Sequence, residues 1–183
     1  AHSRDEIARA MEHDYSDRVG ALFTHVHRNP EIRLTEFKTA KRLAEELRSS
    51  GFQVTEGVGG TGVVAILENG DGPLVMMRGD MDGLPVKEKS GLDYASTATQ
   101  IDPITGTEVA VMHACGHDVH ITSLIGTARQ MSERKDQWSG TLMLIGQPAE
   151  ERIRGAKAMM DDNLWQRFGQ PDYALAFHVG AGL

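Results

Sequence analysis

Residues 140–151 read GTLMLIGQPAEE. An apolar run without polar alternation is closed by a Gly-Gln-Pro break and runs out into Glu150 and Glu151. A strand with one wet face alternates, whereas a strand buried on both faces reads as a continuous apolar run. PLVMMRGD (73–80) and DYALAFHV (172–179) are built the same way, and helical patterns lie between the three. This predicts an α/β fold: a mainly parallel, mixed sheet with helices on both faces. In such sheets, sites form beyond the carboxyl ends of the strands.

The rest of the chain fits around that frame. Arg4 to His27 has a helical apolar stripe, stopped by the proline of RNPE (28–31). A second helix starts at Thr35, with Phe37, Ala40, Leu43, Ala44 and Leu47 at helical spacing, and ends at Gly51. FQVTE (52–56) and GVVAILE (62–68) read as further strands. Lys87 to Thr107 has no clear period and reads as a long loop with a short hairpin, placed as one wall of a pocket. A helix follows from Asp118, and GAKAMMDD (155–162) opens another.

Composition excludes several function classes. The 183 residues are 40% hydrophobic and 25% charged, as in an ordinary soluble domain. The net charge of -7 disfavours nucleic acid and anionic membranes as partners. No apolar run approaches the roughly 20 residues needed to span a bilayer. The polar start AHSRDEIARAMEHDYSDR is no secretory signal. A single cysteine forms no internal disulfide, which fits the cytoplasm.

Chemistry collects at the strand ends. The three apolar strands run out into Asp80 and Asp82, into Glu150 and Glu151, and into His178. Each alone reads equally as a solvated strand end or a helix cap. Together with VMHACGHDVH (111–120), they point to one edge of one sheet. Gly116 marks a bend and Asp118 suits an N-cap, so Cys115 and His117 precede a helix N-terminus, a place that favours thiolate. Thiolate and neutral imidazole are transition-metal ligands, and a glutamate with His178 would complete a mixed sulfur, nitrogen and oxygen site. Neighbouring side chains of an extended chain point apart, so Glu150 and Glu151 are expected to divide two roles, ligand and general base. Two surface acids is the plainer alternative, and Cys115 as a nucleophile with a nearby histidine is another.

MRGDMDGLP, MHACGHDVH, GTLMLIGQPAEE, GAKAMMDD and FHVGAG occur in this order, preceded by HVHRNPEIRLTE. In these motifs the chain resembles the amidohydrolase branch of the M20 metallopeptidases, which holds hippurate hydrolases, N-acyl-amino-acid deacylases and auxin-conjugate hydrolases. The resemblance implies a two-metal centre with Cys115, His117, Glu151 and His178 as ligands and the Cys115 sulfur touching both ions. Zinc or manganese are the expected ions, and cobalt or nickel also suit the ligands. Glu150 would be the general base and acid, with Asp82 beside it in the catalytic group. Asp80 replaces a ligand histidine of related branches, and Asp82 matches that histidine's supporting aspartate. Both are candidates for supporting the ligands or meeting substrate. His113 either lines the site or serves the structure.

Members of this family are longer. By the resemblance, residues 1–183 correspond to the N-terminal portion of the catalytic domain. A lid and dimerisation domain, and the end of the catalytic domain with a further ligand, would lie outside. The implied activity is metal-dependent cleavage of the amide bond of N-acyl amino acids by the whole enzyme, a homodimer through its lid. A non-catalytic, metal-binding or self-associating fragment is the rival for this chain, followed by a cysteine hydrolase using Cys115.

Overall fold

The computed structural model describes residues 4–180. Helix α1 (Arg4–Asp14) passes through a π-helical turn at Tyr15–Val19 into α2 (Gly20–Arg28), so the expected helix is one continuous stretch. Then come α3 (Phe37–Ser49), β1 (Gln53–Val58), β2 (Gly62–Asn69) and β3 (Leu74–Asp80). The long loop carries the expected hairpin, β4 (Thr99–Ile101) with β5 (Glu108–Ala110). Helix α4 (His117–Glu133), β6 (Gly140–Gln147), α5 (Gly155–Asp161), α6 (Leu164–Phe168) and β7 (Tyr173–Ala176) complete the order.

The main sheet runs β1-β2-β6-β3-β7. β3 pairs in parallel with both β6 and β7, whereas β1–β2 and β2–β6 are antiparallel. The sheet is therefore mixed, with the parallel part confined to the three strands first picked out by their apolar runs. The β1–β2 pair is antiparallel because its tight Gly59-Gly60 connection leaves no room for the crossover that a parallel pair needs.

Burial on both faces shows in the side chains of β2 and β6. Val63, Ala65, Leu142 and Leu144 enter a core with Leu43, Ala44 and Leu47 of α3 and Leu124, Ile125 and Ala128 of α4. Val64, Met143 and Ile145 face the other way, onto Met159 of α5 and Leu164 of α6. Consecutive residues of one strand serve opposite layers, which is why no polar alternation survives in GTLMLIG. Among the described residues, no helix is long and apolar enough to cross a membrane.

Register places the chemistry. Asp80 of β3 lies beside Gln147 of β6, and Arg78 beside Ala176 of β7. The three strands thus deliver Asp80 and Asp82, Glu150 and Glu151, and His178 to one sheet edge. The N-terminus of α4 covers this edge, because the Gly79 backbone packs against His120.

Candidate metal centre

The chain beyond β6 is not extended. Ala149 has φ +45°, and Glu150–Arg152 form a 3-10 turn before Ile153 at φ +56°. Two buried acids hold this left-handed entry. Glu36 accepts the Ala149 N–H at 2.8 Å and the Thr61 hydroxyl at 2.6 Å. Asp82 accepts the N–H of Glu150 at 2.9 Å and of Glu151 at 3.1 Å. The expectation that the paired glutamates point apart is corrected here. Glu150 Oε2 and Glu151 Oε1 each lie 3.7 Å from His117 Nε2, because a turn replaces the extended chain. They still differ in setting: Glu151 Oε1 is buried without a hydrogen-bond partner among the described residues, and Glu150 is the more exposed side chain.

Across the edge, Gly116 at φ +81° is the N-cap of α4. Asp118 is not the cap. It sits inside the first turn, where its Oδ2 lies 2.6 Å from His27 Nδ1. A second correction concerns the thiol. Burial comes first, then a hydrogen bond to Glu151 and the charges of Glu151, Glu150 and Asp80, and together they push Cys115 up to about 11. Burial and these acids thus favour the thiol, against the thiolate expected of a helix N-terminus.

His117 is fully buried, and both ring nitrogens lack a hydrogen-bond partner among the described residues. Nδ1 lies 3.3 Å from Asp82 Oδ1, while Nε2 faces Asp80 at 3.6 Å and the two glutamates. Burial works against a charge on this ring, but Asp82, Asp80 and Glu151 outweigh it and raise its pKa. His178 donates from Nδ1 to the Val179 carbonyl at 2.6 Å, which leaves Nε2 as a lone pair 3.6 Å from Cys115 Sγ.

Two donor groups result. Cys115, His117 and Glu151 offer atoms within 4.8 Å of one another, as do Asp80, His117, His120 and His178. Orphaned buried nitrogens and an orphaned carboxylate oxygen, converging with a thiol, fit a borderline divalent cation. The four expected ligands Cys115, His117, Glu151 and His178 are thus brought together, with Asp80, Asp82 and Glu150 around them. His113 joins neither group. It is buried with both nitrogens unpartnered among the described residues, and burial drives its pKa down to about 4, so it is neutral.

Two participants escape a reading of the sequence alone. His120 occupies a donor group although no role falls to it by motif. His27 bridges Asp118 and Glu88, whose Oε1 lies 3.0 Å from Nε2, and so ties the long loop to the start of α4. The one available signal is that His27 and Glu36 both fall in HVHRNPEIRLTE.

Comparison with known proteins agrees. The chain is 40% identical over 154 residues to a hippurate hydrolase of Campylobacter jejuni, covering 84% of this chain and 37% of that protein. It is 37% identical over 139 residues to an N-acetyl-L-cysteine deacetylase of Bacillus subtilis, covering 75% of this chain and 31% of that one. A crystal structure of a dinuclear metal-binding M20 peptidase from Bacillus subtilis superposes with a TM-score of 0.77 at 30% identity. That match covers 90% of this chain and 43% of the other. The chain therefore spans less than half the length of these relatives. Residues 76–183 match the peptidase family M20/M25/M40, from β3 through the whole donor set, and the chain belongs to that family.

Proposed function

We propose that this chain carries the metal-binding edge of a metal-dependent hydrolase that cleaves the amide bond of small N-acyl amino acids. The observation that carries this is the convergence of Cys115, His117 and Glu151 donor atoms within 4.8 Å, with buried His117 and Glu151 atoms lacking a hydrogen-bond partner among the described residues. Relatives named for hippurate and N-acetyl-cysteine support the substrate class.

Cys115, His117, Glu151 and His178 would hold two divalent ions, zinc or manganese before cobalt or nickel. When bound, such ions lower the pKa of a water and polarise an amide carbonyl. Glu150 lies beside His117 but outside both donor groups, as suits a general base. It takes a proton from the attacking water as the carbon–oxygen bond forms. It returns that proton to the nitrogen as the carbon–nitrogen bond breaks, leaving a carboxylic acid and a free amine. Asp82 orients His117 and fixes the glutamate turn from behind. Cys115 is not the nucleophile in this reading, because burial and its acidic surroundings favour the thiol. A ligand thiol suits the reducing cytoplasm, and for the whole protein we propose the homodimer that the resemblance implies.

The paired glutamates test the reading. Glu150→Gln is expected to keep metal content and lose hydrolysis in the whole protein, while Glu151→Gln loses metal. Metal analysis of this chain and amide hydrolysis by the whole protein read the two arms, and the reverse pattern overturns the assignment.

A further inference from the structure

His120 is fully buried, and both of its ring nitrogens are engaged. The Val179 N–H donates to Nε2 at 3.0 Å, so Nε2 carries the lone pair. Nδ1 therefore carries the hydrogen and donates to Asp80 Oδ1 at 2.5 Å. Two ligands of one ion, each about 2.1 Å from it, sit roughly 3 Å or more apart. The Asp80–His120 pair is closer than that and is a hydrogen bond. The ring also packs on His178, with centroids 4.5 Å apart, and on Phe177 at 5.4 Å.

We infer that His120 is not a metal ligand but a positioning residue, a clasp that ties the segment after β7, and with it His178, to Asp80 on β3. The inference rests on the metal-centre reading above. Three histidines of the edge divide by tautomer. His178 spends Nδ1 on a carbonyl and keeps Nε2 free, and His117 has Nδ1 facing Asp82 and Nε2 facing the acids. The His120 lone pair is already taken by the Val179 N–H. β7 is a strand of four exposed residues, paired on one side with β3. The segment that follows it gains a fixed position from the Val179–His120–Asp80 chain, which crosses from the backbone three residues past β7 to the last residue of β3 through a side chain of α4.

The test is nuclear magnetic resonance of the protein with 15N-labelled histidine, titrated with cadmium-113. In the metal-free protein, His120 is expected as the Nδ1–H tautomer. With cadmium, coupling to the metal is expected at His117 and His178 and not at His120. The variants split the ring's two bonds. His120→Gln keeps an acceptor for Val179, and His120→Asn keeps a donor for Asp80. The Asn variant should lose the His178 coupling while keeping that of His117, with cadmium affinity down about 10–100-fold, and the Gln variant should restore the His178 signal. A merely structural residue would move both histidines together. Cadmium coupling at His120, or an Nε2–H tautomer, overturns the clasp. Absence of coupling at every histidine, with the Nδ1–H tautomer intact, counts against the metal centre and leaves the clasp supported. If an unfolded variant removes the second arm, tautomer and coupling in the unaltered protein still decide.

Discussion

Asp82 Oδ1 lies 3.3 Å from His117 Nδ1 while the same carboxylate receives the N–H groups of Glu150 and Glu151. One acid thus orients a histidine on α4 and a turn after β6. Asp82→Asn keeps one acceptor and turns an amide N–H toward groups that are themselves donors. Divalent metal affinity should fall about 10–100-fold, as for the loss of other supporting carboxylates. Competition with a chromogenic chelator measures it. An unchanged affinity would remove Asp82 from the site.

Cys115 gives a reactivity prediction. Its thiol is pushed from 9.0 to about 11, so the thiolate fraction near neutral pH falls about 100-fold. In metal-free protein, iodoacetamide should modify it far more slowly than free cysteine at pH 7.5, and the rate should climb toward pH 11. Glu151→Gln removes a hydrogen-bonded acid and should speed the reaction. A fast reaction at pH 7.5 in the unaltered protein would revive the nucleophile reading.

His27 makes stability depend on pH. Burial lowers its pKa, but hydrogen bonds and charges from Glu88 and Asp118 outweigh this, and the net shift is upward from 6.5. A group whose folded pKa is raised stabilises the fold below its unfolded value, and that contribution disappears as pH rises through the folded one. Urea midpoints should therefore fall as pH rises above 6.5, in a way that His27→Gln abolishes. At pH 6 the substitution should cost about 2 kcal/mol, the worth of a charged hydrogen bond. A variant whose pH profile still runs parallel to that of the parent would rule His27 out as the titrating group.

Gly155 fixes the far side of the glutamate turn. A Cβ there would stand 1.5 Å from the Pro148 carbonyl oxygen, which is backbone and cannot rotate away. Gly155→Ala should displace the 148–155 segment and cost about 3 kcal/mol, the upper end for overpacking. Thermal unfolding measures the loss, and metal titration should show weakened binding in whatever protein remains folded. A normal melting temperature would contradict the close approach.

The parts of this molecule legible in its sequence are those with local causes. Continuous apolar runs mark β3, β6 and β7, but burial on both faces accounts for the run only in β6: β3 is half-buried along most of its length and the four residues of β7 are exposed. Paired acids at a strand end are equally visible. The antiparallel insertion of β2 between β1 and β6 was not read, because strand order depends on which edges meet. His120 resembles His117 in type and lies one helical turn on, so only its partners Asp80 and Val179 tell the two apart. Glu88 sits in an aperiodic loop, and nothing near it in the chain reveals that His27 binds it. The orientation of Glu150 and Glu151 is not legible, because Ala149 adopts a left-handed conformation that no local residue preference announces.

The supports of this centre are distant along the chain. Asp82 reaches Glu150 over 68 residues, Cys115 meets His178 over 63, His27 holds Asp118 over 91, and Glu36 holds Ala149 over 113. Closing such spans is the slow, entropically opposed part of folding. The pairing of β3 with β6 and β7 closes over comparable spans, so the donor set is complete only when the sheet is. A cation binding there acts on a protein already folded, so it should slow unfolding and leave the rate of folding nearly unchanged.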